Sequence, residues 1–119
     1  VLDDDIFIND GNAEDIALKI FEPDIKDRPK IALQFFIYDM LLKDRAEARG
    51  RNIWNCVYSV SSLFKEAPVT VPLNEKFYNA VSERLASLLD EMYDISVPFR
   101  RTEDLKVCEY SDFKNICGR

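Results

Sequence analysis

One stretch governs how this chain can fold. Between Ile31 and Leu42 only Gln34 and Asp39 interrupt Ile31, Ala32, Leu33, Phe35, Phe36, Ile37, Tyr38, Met40, Leu41 and Leu42. At about 100° per residue these side chains cover nearly the whole circumference of a helix, and a helix that is apolar all round is expected to be buried on every side. The stretch predicts a central helix over about 28–49. Pro29 falls in its first turn, where a missing N–H costs little, and Gly50 is placed to stop it.

The flanking segments read as elements packed around that helix. Val1 to Ile8 reads as an extended lead-in, and Asn9-Asp10-Gly11 as a turn. Asn12 is then placed to cap a helix whose face is Ala13, Ile16, Ala17, Ile20 and Phe21, with Pro23 ending it. Asn52 to Glu66 carries two patterns: Trp54, Cys56, Tyr58 and Val60 alternate as in a strand, while Ile53, Val57, Val60 and Phe64 recur at helical spacing. Its length and its place between two helices favour helix. Ala67 to Pro72 reads as a loop, held extended by Pro68 and Pro72. Asn74 opens the clearest amphipathic helix, with Phe77, Val81, Leu85, Leu88 and Met92 on one face, running to about Tyr93. Residues 95–101 read as extended, and Thr102 and Ser111 each start a short helix, the second ending at Gly118. The expected fold class is all-α: a single domain over 1–119, five or six helices in a bundle around the buried central one.

A chain of 119 residues, 47% apolar and with eight Phe, is large enough for one core without a metal or disulfide framework. Its longest apolar run falls well short of the ~20 residues that span a bilayer, and no signal peptide opens it, although a chain beginning at Val1 has lost an initiator Met or more. Cys56, Cys108 and Cys117 are odd in number and lack metal-site spacing, which points to reduced thiols in the cytoplasm. Cys56, between Trp54 and Tyr58, reads as buried and inert.

The net charge of −6 is lopsided. Residues 1–27 hold nine acids (Asp3, Asp4, Asp5, Asp10, Glu14, Asp15, Glu22, Asp24, Asp27) against Lys19 and Lys26, so 2 − 9 = −7. Residues 28–119 hold thirteen acids and fourteen bases, a net of +1. All of the excess lies in the first quarter, which reads either as a solubilising terminus or as a surface for a basic partner.

Much chemistry is absent. Without histidine there is no Ser-His or Cys-His nucleophile pair and no imidazole metal ligand. Three glycines, Gly11, Gly50 and Gly118, cannot form a phosphate-binding loop. Aligning Gly11 with the turn glycine of a calcium loop puts Ile6 and Ile8 at ligand positions and Ala17 at the bidentate one, so calcium is not expected. Asp39, inside the most apolar helix, is a candidate acid or base, but it also precedes Lys43 by four residues in the order that favours an ion pair. The basic clusters Lys43, Arg45, Arg49, Arg51 and Arg100-Arg101 are interleaved with or followed by acids, so direct nucleic-acid binding is not expected.

These readings converge on a binding protein, not an enzyme, with no cofactor and no metal. The expectation is a small acidic cytoplasmic protein that neutralises a basic protein partner, as a bacterial immunity protein does for a nuclease toxin. Its contact residues would be Asp3, Asp4, Asp5, Asp10, Glu14, Asp15, Glu22 and Asp24. The alternatives are a helical adaptor or chaperone-like module that takes an amphipathic segment of another protein, or a DNA mimic. Trp54 and Tyr58 read first as core aromatics, and as partner anchors only if exposed. The sequence leaves the oligomeric state open.

Overall fold

The computed structural model describes residues 4–23, 25–116 and 118, without the side chains of Asp4 and Ala46. The domain is mostly helical but is not a bundle of five or six helices. Among the described residues it has four helices, three of them of seven or more residues, and one two-stranded antiparallel hairpin. In chain order these are α1 (Ala13–Phe21), α2 (Lys30–Leu42), β1 (Trp54–Val57), β2 (Val69–Pro72), α3 (Glu75–Tyr93) and α4 (Leu105–Glu109).

The lead-in is a 3-10 turn over Asp4–Ile6, not an extended segment, and it buries Ile6 and Ile8. Asn9 and Asn12 then lock the turn before α1. The Asn9 carboxamide accepts from the N–H of Gly11 and Asn12, at 2.8 and 3.2 Å, and Asn12 accepts from the N–H of Asn9 at 2.8 Å. Asn12 is thus spent on the turn and does not cap α1 with its side chain. α1 buries Ala13, Ile16, Ala17 and Ile20, the spacing of one helical face. The Arg28 guanidinium then donates to the carbonyls of Ile20 and Glu22, satisfying oxygens left over at the end of α1 and fixing the reversal into α2.

α2 is shorter than expected and only half covered. It ends at Leu42, where Lys43, Asp44 and Arg45 offer no apolar surface to pack, and a 3-10 turn over Ala46–Ala48 follows. Gly50, at φ 71°, closes that turn and not the helix. The buried side chains of α2 are Ala32, Phe35, Phe36 and Asp39. They face α1, α3 and the first turn, and Phe36 meets Tyr78 of α3 with ring centroids 5.2 Å apart.

The segment expected to be helical from Asn52 to Glu66 holds strand β1. Its alternation, not its helical spacing, is what the fold uses. Asn55 and Val57 turn inward, Trp54 and Cys56 outward, and β1 pairs in register with β2: Trp54 opposite Pro72, Asn55 opposite Val71. The partner is the proline-flanked segment, whose extended backbone is already suited to pairing. Pro72, which has no N–H to give, stands at the end of its strand.

α3 follows the expected bounds and cap, with the Asn74 carboxamide accepting from the N–H of Phe77 at 2.8 Å. Only its first half reaches the core. Phe77 and Val81 are buried, whereas Leu88, Leu89 and Met92 are exposed, and among the described residues no side chain after Val81 is buried. α4 is a single short helix, and Ser111–Ile116 forms turns instead of a second one.

The core is therefore small. The chain's radius of gyration is 17.3 Å, against about 13.5 Å for a compact domain of this length. Its accessible surface is 9569 Å², where a folded monomer of this mass exposes about 6,600 Å².

Candidate interaction surfaces

The first surface lies on the side of α2 that faces away from the core. Ile37, Tyr38, Met40, Leu41 and Leu42 are each between 38% and 60% exposed. At about 100° per residue they span an arc of about 200° opposite Ala32, Phe36 and Asp39. Tyr38, Leu41, Leu42 and Arg45 line a shallow groove of about 340 Å³. No exposed side chain between Ile31 and Leu42 carries a charge, because Asp39 points inward. Fractions of this size on large side chains amount to an apolar area on the order of 500 Å², at the upper end of what a soluble monomer leaves uncovered. A helix expected to be buried on all sides is covered on one.

Asp39 and Asn55 are the polar residues buried within the core among the described residues. Only 3% exposed, Asp39 accepts a hydrogen bond from Asn55 Nδ2 at 2.9 Å, tying α2 to the inner face of β1. Burial holds its carboxyl above the usual carboxylate range, and the nearby Glu75 adds to the effect, while the Asn55 hydrogen bond and Lys43 oppose it. The expected Asp39–Lys43 pair gives way to a tertiary one. Lys43 bonds Glu75 of α3 at 2.8 Å and lies 4.3 Å from the centroid of the Tyr78 ring. Its pKa is raised, chiefly by the Glu75 hydrogen bond.

The acidic quarter forms the second surface, around α1. Asp5 and Asp15 lie 3.6 and 3.3 Å from Lys19, whose pKa is raised first by its hydrogen bond to Asp15. Glu14 is 4.0 Å from Lys76 of α3. Asp10 accepts from Asn74 Nδ2 at 2.9 Å, and its carbonyl accepts from Lys76 Nζ at 3.1 Å. Glu22 is exposed, with its carbonyl engaged by Arg28. The fold thus gathers Asp5, Asp10, Glu14 and Asp15 near Lys19 and Lys76, a local balance of 2 − 4 = −2. Asp3 and Asp24 lie outside the described residues, as does the side chain of Asp4.

The hairpin's outer face carries Trp54 and Cys56, with Tyr58 just beyond, all exposed. Cys56 is thus an accessible free thiol and not a buried one, and its hydrogen bond to Tyr58 raises the phenol's pKa. Cys108 is a free, partly covered thiol, and Cys117 lies outside the described residues.

Among the described residues, no group of three or more His, Cys, Asp or Glu side chains is arranged to hold a metal ion. No described helix is long and apolar enough to cross a membrane. The arrangement defines a small, mostly helical domain with one hairpin and an uncovered apolar helix face. No protein-family profile, characterised protein or solved structure matches this chain.

Sequence reasoning placed Tyr38, Leu41 and Leu42 in the core. The signal that could have corrected it was the supply of covering residues. A helix apolar all round needs neighbours on every side, and the segments after it, 43–52 and 94–104, are too polar or too extended to provide them.

Proposed function

We propose that this chain is a protein-interaction domain that acts by association, not catalysis, and that its principal contact is the outer face of α2. The observation that carries this reading is the uncharged stripe from Ile37 to Leu42, exposed on a domain whose surface exceeds that of a compact monomer by about 2,900 Å². Burying apolar area of this kind is the ordinary driving force for protein association. Of the expected classes this one is nearest to the adaptor. The free thiols of Cys56 and Cys108 fit a reducing, cytoplasmic setting.

A second reading, neutralisation of a basic partner in the manner of an immunity protein, is favoured by Asp5, Asp10, Glu14 and Asp15. They outnumber the two lysines beside them, with Glu14 and Asp15 on α1 and Asp5 and Asp10 in the turns that lead into it. The two readings separate by salt and by mutation. Association through α2 survives a rise from about 50 mM to about 500 mM salt and is lost in Leu41→Glu. Association through the acidic edge weakens with salt and is lost when Asp10, Glu14 and Asp15 are reversed to Lys. Binding that responds to neither set of changes would overturn both.

A further inference from the structure

The α2 stripe has properties that select its occupant. We propose that it is covered by the same stripe of a second copy of this chain, the two α2 helices crossing antiparallel about a two-fold axis. The inference rests on the association reading above and names its partner.

Area comes first. A standard dimer buries about 800 Å² per partner, and about 65% of a homodimer interface is apolar, or about 520 Å². The stripe offers on the order of 500 Å² of apolar surface, and the residues that flank it, Gln34, Asp44 and Arg45, are exposed and polar. One face of α2 therefore matches one half of such an interface, with an apolar centre and a polar rim.

Charge comes second. In a two-fold contact each patch meets itself, so a centre bearing one sign of charge would repel its own copy. From Ile31 to Leu42 the exposed surface carries no charge. The second half of α3 and the edge of α1 do not meet this condition. The apolar residues of the second half of α3 are interrupted by Asp90 and Glu91, and the α1 edge is acidic. An antiparallel crossing centred between Tyr38 and Leu41 sets Tyr38 against Leu41 of the second copy, twice. It also sets Arg45 against the second copy's Gln34, whose side-chain oxygen can accept from the guanidinium. The acidic edge belongs to α1, which packs on the inner side of α2, and stays clear of the contact.

Sedimentation equilibrium of the full chain under reducing conditions, which keep the exposed Cys56 from linking copies through a disulfide, tests this. The expected species has twice the 13.8 kDa chain mass at micromolar concentration. Leu41→Glu and Tyr38→Arg each weaken the self-association by about 30-fold or more, as for central contacts of an interface, while far-UV circular dichroism keeps its helical signal. Reversing Asp10, Glu14 and Asp15 to Lys leaves the dimer intact. A wild-type chain that stays monomeric up to about 100 μM, well above the dissociation constant of a standard-size interface, overturns the self-pairing. In that event, a different protein held through α2 and released by Leu41→Glu would keep the association reading. A monomer in which Leu41→Glu changes no association would end both.

Discussion

Phe36 and Tyr38 are two residues apart on one helix, are both aromatic, and are indistinguishable in an apolar count. The structure separates them by burial, 3% exposed against 52%. Phe36→Ala removes a ring packed in the main core cluster and against Tyr78, and is expected to cost about 3–5 kcal/mol. Of this, roughly 0.5–1.5 kcal/mol is the ring–ring contact. Tyr38→Ala gives up about half the burial of a large side chain and costs the isolated chain about 1 kcal/mol. Urea unfolding followed by circular dichroism reads both. With an m-value of about 1.5 kcal/mol/M, the midpoint falls by about 2–3 M for Phe36→Ala and by less than about 1 M for Tyr38→Ala. If α2 pairs with its copy, the cost at Tyr38 grows with protein concentration and the cost at Phe36 does not. A loss at Phe36 below about 1 kcal/mol, or equal losses at the two positions in dilute solution, would refute the half-buried helix.

Two further outcomes follow from the core. A carboxyl whose folded pKa is raised contributes stability that is complete below its unfolded value of about 3.9 and is lost as pH rises through the folded value. Asp39→Asn, which keeps an oxygen to accept from Asn55, should therefore be more stable than wild type at neutral pH, with the gap closing toward about pH 4; denaturation at three pH values checks this, and a wild type more stable at neutrality refutes it. Asn74→Ala removes the cap of α3 and the bond to Asp10, at an expected cost of about 1–2 kcal/mol in the same unfolding assay, whereas a loss within about 0.3 kcal/mol would mean that water replaces the cap.

Much of the local structure was legible in the residues. α1 and α3 lie where apolar spacing put them, and Asn74 and Pro23 act at the ends of helices as their chemistry requires. Each of these signals lies within a few residues of the structure it specifies. The candidate contacts were legible only in part. The acids of the first quarter were readable as a charge excess, but not the lysine of α3 that reaches back to Glu14 and Asp10 from more than sixty residues away.

What the sequence determined by itself was the place of α1 and α3, the Asn74 cap and the Pro23 break, the lack of histidine chemistry and the sign of the charge. Tertiary structure alone decided three things. Trp54–Val57 became a strand because a proline-extended segment was within reach to pair with it. Asp39 turned to Asn55 because α2 packs beside that strand. The far side of α2 stayed open because, among the described residues, no apolar element is placed to cover it. Periodicity states how much of a helix is apolar. Which side is buried depends on what the rest of the chain can bring against it.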